Sequence, residues 1–405
     1  MKLLVVAYAC EPNKGSEPEV GWRVVNEIAK LLPDDEIYVI TKGNNKDTIE
    51  KENYPSNIKF FYYELPKKLT FWKKGGRGVR TYYYLWMIGA YKYLKKQNMD
   101  FDIIHHVTFV NDWLPSYFIN LKNSKNKFIW GPIGGNDPLP EKFLPRERKK
   151  IEKVRIFLQK IFRNDPVFKK CKQKSDVIIG INENVKHKLK LSNDKKFIVE
   201  PAIGLSKEEL KKLEYKKSDD EFLILSVGRF IYIKNFRLTI DTFNEFVKNN
   251  PNSNAKLILI GDGPDKDMLV RLVKSYGIEN KVKFTGKISR REVFEYMEKS
   301  HLFLFPTLEN AGFVILEAMS NFMPVIALNY GGPAQFVIKN KDLQLSDVNM
   351  SYDEIKKDLA AKIELFYNDS FLRKKIGMDN HNIVLKNFTW EEKAKKYVNL
   401  YKGLQ

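Results

Sequence analysis

The sequence predicts an α/β protein of two doubly wound lobes facing across a cleft. In both halves, apolar β-type runs alternate with segments of helical period, the pattern of parallel strands joined by crossover helices. A chain of 405 residues exceeds what one hydrophobic core serves well, so two domains of roughly 150 to 200 residues are expected. No apolar run approaches the roughly 18 residues needed to cross a membrane.

The first strand is expected over Lys2 to Tyr8, because the apolar stretch after Met1 is too brief for the core of a signal peptide. Further strands of the first half are expected near Glu36 to Ile40, Lys59 to Tyr63, Ile103 to His106, Phe128 to Trp130, Val177 to Gly180 and Phe197 to Val199. The second half repeats the scheme near Phe222 to Val227, Lys256 to Ile260, Val282 to Thr285, Leu302 to Phe305 and Pro324 to Ala327. At Glu200 to Leu205 a strand gives way to Pro and Gly, which places the domain boundary between 1–203 and 204–387. Ser289-Arg-Arg-Glu292 and Thr389-Trp-Glu-Glu392 read as capped helix starts.

The formal net charge is +20, and the excess is uneven. Residues 146–174 carry twelve Lys/Arg against three acids, and Lys67 to Arg80 carries six with no acid. Such segments attract anionic lipid, at up to ~1 kcal/mol per cation near the surface, or nucleic acid; an ordinary solvated surface is the plain alternative. Interleaved Phe71, Trp72, Tyr82, Tyr83, Tyr84 and Trp86 favour a membrane-interface belt, although aromatics at helical spacing also build cores. Peripheral contact with an anionic membrane through 67–93 and 146–174 is therefore expected, and no nucleic acid. Only Cys10 and Cys171 occur, at no metal-like spacing, which points to a reducing compartment without a disulfide framework.

Chemistry concentrates at strand ends, where doubly wound sheets bind ligands. Glu309-Asn-Ala-Gly312-Phe-Val-Ile-Leu-Glu317 sets one carboxylate on a loop and another inside the helix that follows, with a glycine at its mouth. A helix start of this kind offers N–H groups and a positive dipole end to an anion. Arg229 and Lys234 lie on the loop after another strand, where two cations can bracket a diphosphate. Gly261-Asp-Gly263-Pro follows a strand but lacks the third glycine of a dinucleotide fingerprint. Gly15 and Ser16 sit between a strand and a helix and can approach a phosphate through backbone N–H groups.

His105 and His106 end a strand, and alternation sends them to opposite faces, so at most one lines a cleft. Asp100-Phe-Asp102 precedes that strand at its wrong end for a ligand, and no metal is expected. Gly131-Pro-Ile-Gly134-Gly135-Asn136 is a second glycine-rich strand end, either acceptor-binding or simply a tight turn.

Together these residues resemble the retaining family-4 glycosyltransferases of the GT-B fold. The resemblance is carried by the loop of Gly228, Arg229 and Lys234, by Leu259-Ile-Gly261-Asp-Gly-Pro264, Val282-Lys-Phe-Thr-Gly286, the Glu309 to Glu317 pair, and Tyr330-Gly-Gly-Pro333. Phe388-Thr-Trp390 and the helix to Tyr401 look like the family's closing segment, which implies that 388–405 crosses back to complete the first of two Rossmann-like domains. The opening Tyr8-Ala-Cys-Glu-Pro12 and Trp130-Gly-Pro-Ile-Gly-Gly135 resemble a subgroup associated with bacterial surface polysaccharides.

The resemblance implies metal-independent transfer of a sugar, with retention, from a UDP- or GDP-type nucleotide sugar to a glycan or lipid-linked acceptor. Arg229 and Lys234 would neutralise the leaving diphosphate, and Glu309 would hold the donor sugar. Gly312 and Phe313 would add backbone donors beside Asn310, Ala311 and Val314, and Glu317 would accept from the ribose. Lys287 and Ile288 would read the base, and His106 or His105 would touch sugar or acceptor, with Gly134, Gly135 and Asn136 on the acceptor side. The implied location is cytoplasmic, peripheral on the inner face of the membrane, with no cofactor and no named nucleophile. Asn235 stands where glycine usually follows the loop lysine, Asn310-Ala311 where Gly-Phe is common, and Gln335 where Glu often follows the Gly-Gly turn. Other sugar-nucleotide enzymes such as an epimerase, and a basic polyanion-binding protein, are the alternatives.

Overall fold

The computed structural model describes all 405 residues except Lys74, Gly76, Arg77, Gly135, Asn136, Asn193, Asp194, Lys195, Asp219 and Ala311. The chain divides into two compact units, Met1–Asn136 with Lys153–Gly204 and Trp390–Gln405, and Asp137–Glu152 with Leu205–Thr389.

The first unit is a seven-stranded sheet of β1 (Lys2–Val6), β2 (Glu36–Lys42), β3 (Ile58–Tyr63), β4 (Ile103–His106), β5 (Lys127–Ile133), β6 (Val177–Gly180) and β7 (Phe197–Val199). The order is β3-β2-β1-β4-β5-β6-β7, and every pairing is parallel. Helices cover both faces, so the central strands are apolar on both: Leu3 to Val6 are wholly buried. The helix Trp390–Lys402 returns to this unit and packs on the helix Ser16–Leu31. Its Lys393, itself buried, donates to Glu200 at 2.8 Å, and Lys396 reaches the other carboxylate oxygen at 2.8 Å.

The second unit is a six-stranded sheet of β8 (Phe222–Val227), β9 (Ala255–Ile260), β10 (Val282–Gly286), β11 (Leu302–Leu304), β12 (Val325–Leu328) and β13 (Leu345–Ser346). Its order is β10-β9-β8-β11-β12-β13, again all parallel. Both sheets reverse their winding between their first and fourth strands, β1 with β4 and β8 with β11, the position at which open α/β sheets take ligands.

Three expectations need correction. Strand β13 was not foreseen, because two residues carry no period. Asp137–Glu152 belongs to the second unit rather than the first, since its ties are there: Lys142 donates to the carbonyls of Val348 and Met350, Pro138 accepts from Tyr330 at 3.2 Å, and Arg148 stacks over Tyr232. Tyr82, Tyr83 and Trp86 form no belt. They lie on the inner face of the helix Val79–Lys96 and are buried with Tyr8, Ile104 and Phe118.

Both cysteines are buried and unpaired. Among the described residues no helix is long and apolar enough to cross a membrane.

Candidate functional site

At the reversal point of the second unit, two loops leave adjacent strands and are stitched together. The loop after β8 runs from Gly228 through a 3-10 turn, Tyr232–Lys234, to the helix Phe236–Asn249. The loop after β11 runs through Pro306 to Asn310 and ends at Gly312, ahead of the helix Phe313–Ser320. Leu308 N–H donates to Ile233 O at 2.9 Å, and the Asn235 side chain donates to Pro306 O at 3.1 Å. Asn235 holds φ 57°, a left-handed conformation that Asn tolerates better than most residues, which accounts for Asn in a position where glycine is usual.

This stitching brings Lys234 and Glu309 together. The Lys234 ammonium donates directly to Glu309 Oε2, with side chains 16% and 25% exposed, and it lies 5.2 Å from the centre of the Phe305 ring. Glu309 is fixed from the other side as well: its carbonyl accepts from Gly332 N–H at 2.7 Å. Gly331 has φ 56°, and a Cβ there would stand 2.1 Å from that carbonyl, so only glycine fits. Gln335 donates to Gly331 O at 3.2 Å and to Asn310 O at 3.4 Å. An ionised Glu, the residue often found there, could not donate.

Arg229 is exposed on the same loop as Lys234. No ion pair of its guanidinium occurs among the described residues, leaving the loop with an unmatched cation beside a matched one. Gly228, Gly261 and Gly263 let the loops after β8 and β9 touch: Phe230 N–H donates to Asp262 O at 2.9 Å, and a Cβ at Gly261 would meet Gly228 O at 1.9 Å.

Glu317 lies on the helix that Gly312 opens, and its carboxylate accepts from Arg290 at 3.1 Å. Burial raises the pKa of this carboxyl, and Arg290 works against that rise. Arg290 follows Lys287 and Ile288 closely in the chain, so the structure places that loop beside Glu317. Sequence reasoning missed Arg290, having read Ser289 to Glu292 only as a cap; the cap is present, with both capping-box bonds formed. Phe313 and Val314 form the first turn of the Glu317 helix. Asn310 ends the Glu309 loop, and Ala311 lies outside the described residues.

A pocket of about 470 Å³ opens beside this site, lined by Tyr232, Asn235, Asp265, Tyr352 and the Lys142 to Pro145 segment, but it includes neither Lys234 nor Glu309.

In the first unit, Ser16 lines a pocket of about 570 Å³ at the carboxyl ends of β1 to β3, with Tyr8, Glu11, Lys42, Glu64 and Phe109. Gly15 holds φ 67° at the start of the neighbouring helix. Burial lowers the pKa of Lys42, whose ammonium lies 5.1 Å from the Tyr8 ring centre, while Glu64 and Glu11 pull the other way. Gly134 directly follows β5 and donates to Val110 O at 2.8 Å, whereas Gly135 and Asn136 lie outside the described residues.

The histidines require a correction. Both are buried core residues with both ring nitrogens engaged: His105 meets Tyr401 Oη at 2.6 Å and Gly131 O at 2.7 Å, and His106 meets Ser116 Oγ at 2.7 Å and Tyr83 Oη at 3.0 Å. Alternation does separate them, but helices cover both faces of a parallel sheet, so neither reaches a surface. Among the described residues no cluster of His, Cys, Asp or Glu is placed to hold a metal ion.

Residues 207–381, within the second unit, match the family described as Glycosyl transferases group 1. An uncharacterized glycosyltransferase of Methanocaldococcus jannaschii is 30% identical over 207 residues, 49% of this chain and 50% of that one. The chain thus spans about half the length of that relative. The alpha-monoglucosyldiacylglycerol synthase of Acholeplasma laidlawii is 26% identical over 316 residues, 72% of this chain and 71% of that one. Among solved structures, Anabaena HepE in complex with UDP is similar over 100% of both chains, with a TM-score of 0.63 at 15% identity, a likeness of fold alone. The match to the glycosyl transferases group 1 family thus lies within residues 207–381 of the second unit, and the chain as a whole has the GT-B fold of two Rossmann-like domains.

Proposed function

We propose that the protein is a retaining, metal-independent glycosyltransferase that moves a sugar from a nucleotide-diphosphate sugar, of UDP or GDP type, to a glycan or lipid-linked acceptor in cell-surface polysaccharide synthesis. The observation that carries this reading is the Lys234–Glu309 pair at the reversal point of the second sheet, with Arg229 exposed on the same loop. A leaving diphosphate develops charge that must be neutralised in the transition state. Two cations on one stitched loop supply this without a metal, Arg229 as a planar fork and Lys234 as a point charge. In this reading the incoming diphosphate draws Lys234 from Glu309, which turns its freed carboxylate to the hydroxyls of the donor sugar.

The nucleoside end would lie by Glu317, whose carboxylate accepts from Arg290, the cation that opposes the rise burial gives its pKa. The first unit's pocket, with acids, a cation and aromatic rings, suits the acceptor. The Anabaena structure holding UDP supports a nucleotide-sugar donor, and the relative named for a glucosyldiacylglycerol supports an acceptor at a membrane. The protein would work in the cytoplasm against the inner membrane face, held there by 67–93 and 146–174.

Melting the protein with UDP-, GDP- and dTDP-sugars tests the reading, because a ligand bound only to the folded state raises Tm by an amount that grows with the logarithm of its concentration above Kd. A UDP- or GDP-sugar should stabilise the protein, and Arg229→Ala should abolish the effect. Stabilisation by none of them, or an unchanged response in Arg229→Ala, would overturn it. An epimerase would convert the donor with no acceptor present.

A further inference from the structure

The helix Arg146–Phe162 is amphipathic in the inverse sense to a helix of a soluble domain. It buries Glu152 and Gln159, 8% and 5% exposed, while Ile151, Val154, Phe157, Leu158, Ile161 and Phe162 stand 55, 57, 63, 46, 51 and 40% exposed. At 3.6 residues per turn these six fall within an arc of about 140°, on the side away from Glu152 and Gln159. From Ile151 onward no polar residue interrupts that arc. Isolated apolar residues are ordinary on a soluble surface, but a continuous stripe marks something that covers it.

Charge identifies the cover. Lys149, Lys153 and Lys160 run along one flank of the stripe, and Arg148 and Arg155 along the other. An apolar strip between two cationic rows matches the boundary of a bilayer with anionic headgroups, acyl chain in the middle and phosphate on either side. A second copy of the same face would set these rows of like charge against each other. The other basic segment exposes Leu69 and Phe71 but has no continuous stripe on a helix, because Tyr82, Tyr83 and Trp86 are spent in the core.

We infer that the helix Arg146–Phe162 lies in the plane of an anionic bilayer, with Ile151, Val154, Phe157, Leu158, Ile161 and Phe162 inserted into the boundary of the acyl chains. This rests on the reading of a transferase working at a membrane and narrows it: one helix anchors the protein by apolar insertion, and the cations choose the lipid.

Flotation of the full chain with vesicles of phosphatidylcholine alone, or mixed with phosphatidylglycerol, tests the inference. The protein should float with the mixed vesicles. Phe157→Ser with Ile161→Ser should weaken that binding by about tenfold or more, since two exposed apolar side chains no longer leave water. Lys153→Glu with Lys160→Glu should weaken binding only to the anionic vesicles. All four positions are exposed, so Tm and the Tm gain with UDP-glucose should stay as in the parent. Failure of the parent to float, or a serine variant that floats as well as the parent, would overturn the inference. So would a concentration-dependent dimer, seen by light scattering, that the serine variant splits. Loss of the UDP-glucose response in the parent would instead count against the transferase reading and leave the helix result standing.

Discussion

Lys234 and Glu309 are joined as an ion pair between the loops that follow β8 and β11, neighbouring strands at the point where the sheet reverses its winding. Each neutralises the other, so an anionic ligand must compete with Glu309 for the ammonium.

Opposite responses to two substitutions follow from that competition. Lys234→Ala should reduce transfer by on the order of 3 kcal/mol of transition-state stabilisation, comparable to losing one preorganised oxyanion donor, and should weaken UDP binding. Glu309→Gln should also reduce transfer but bind free UDP more tightly, by about 1 kcal/mol, because the ammonium no longer has an internal partner. Calorimetric titration with UDP alongside single-turnover transfer separates the two. Equal UDP affinity in both variants would mean that the pair takes no part in binding.

The contact between Arg290 and Glu317 makes donor affinity depend on pH. Burial raises the Glu317 pKa and Arg290 holds it down, and an ionised carboxylate is the form that accepts from ribose hydroxyls. Affinity for the nucleotide sugar should therefore be full above that raised pKa and fall as pH drops through it. In Arg290→Ala the fall should begin at higher pH. Superimposable profiles for parent and variant would exclude Glu317 as the titrating acceptor.

Twelve of the strands are legible because a buried parallel strand is a short apolar run, and the runs ending at Val227 and Leu304 also show where the site must be. The Lys234–Glu309 pair follows from that, since each residue lies just past one of these ends. Arg290 was hidden inside an ordinary capping box, where sequence shows the cap but not that the guanidinium reaches another helix. Asp137–Glu152 was assigned to the wrong unit because Lys142 and Pro138 bond with Val348, Met350 and Tyr330, partners far along the chain that no local pattern reveals. Alternation correctly split His105 from His106, yet period cannot tell which faces of a sheet are covered.

Asn235 tests whether a departure from the family pattern is structural. Its φ of 57° makes Asn235→Ala costly by about 1 to 2 kcal/mol, since alanine keeps the Cβ that the left-handed region disfavours but loses the polar side chain that lets asparagine tolerate it, with its bond to Pro306 O. Asn235→Gly should relieve the backbone and lose only the bond to Pro306 O, a change of about 1 kcal/mol or less. Urea midpoints of the three proteins give the order, with alanine lowest. Alanine as stable as asparagine would show that the loop does not require this conformation.

Acid should destabilise the fold through the two buried histidines. Burial pushes the pKa of His105 down to about 4, and burial together with its neighbour His105 pushes that of His106 down to about 3. In the unfolded chain each titrates near 6.5. Between about 6.5 and those lower values the unfolded state binds protons that the folded state refuses, so stability falls as pH falls, by about 1.4 kcal/mol per pH unit for each histidine. Below the folded pKa values the loss levels off. His106→Gln keeps a side chain able to hydrogen-bond with Ser116 and Tyr83 but does not titrate, so its urea midpoint should depend on pH less steeply than that of the parent. Equal slopes across the mildly acid range would mean that His106 is already charged in the folded protein despite its burial between Tyr83, Ser116 and Phe118, and would overturn this account.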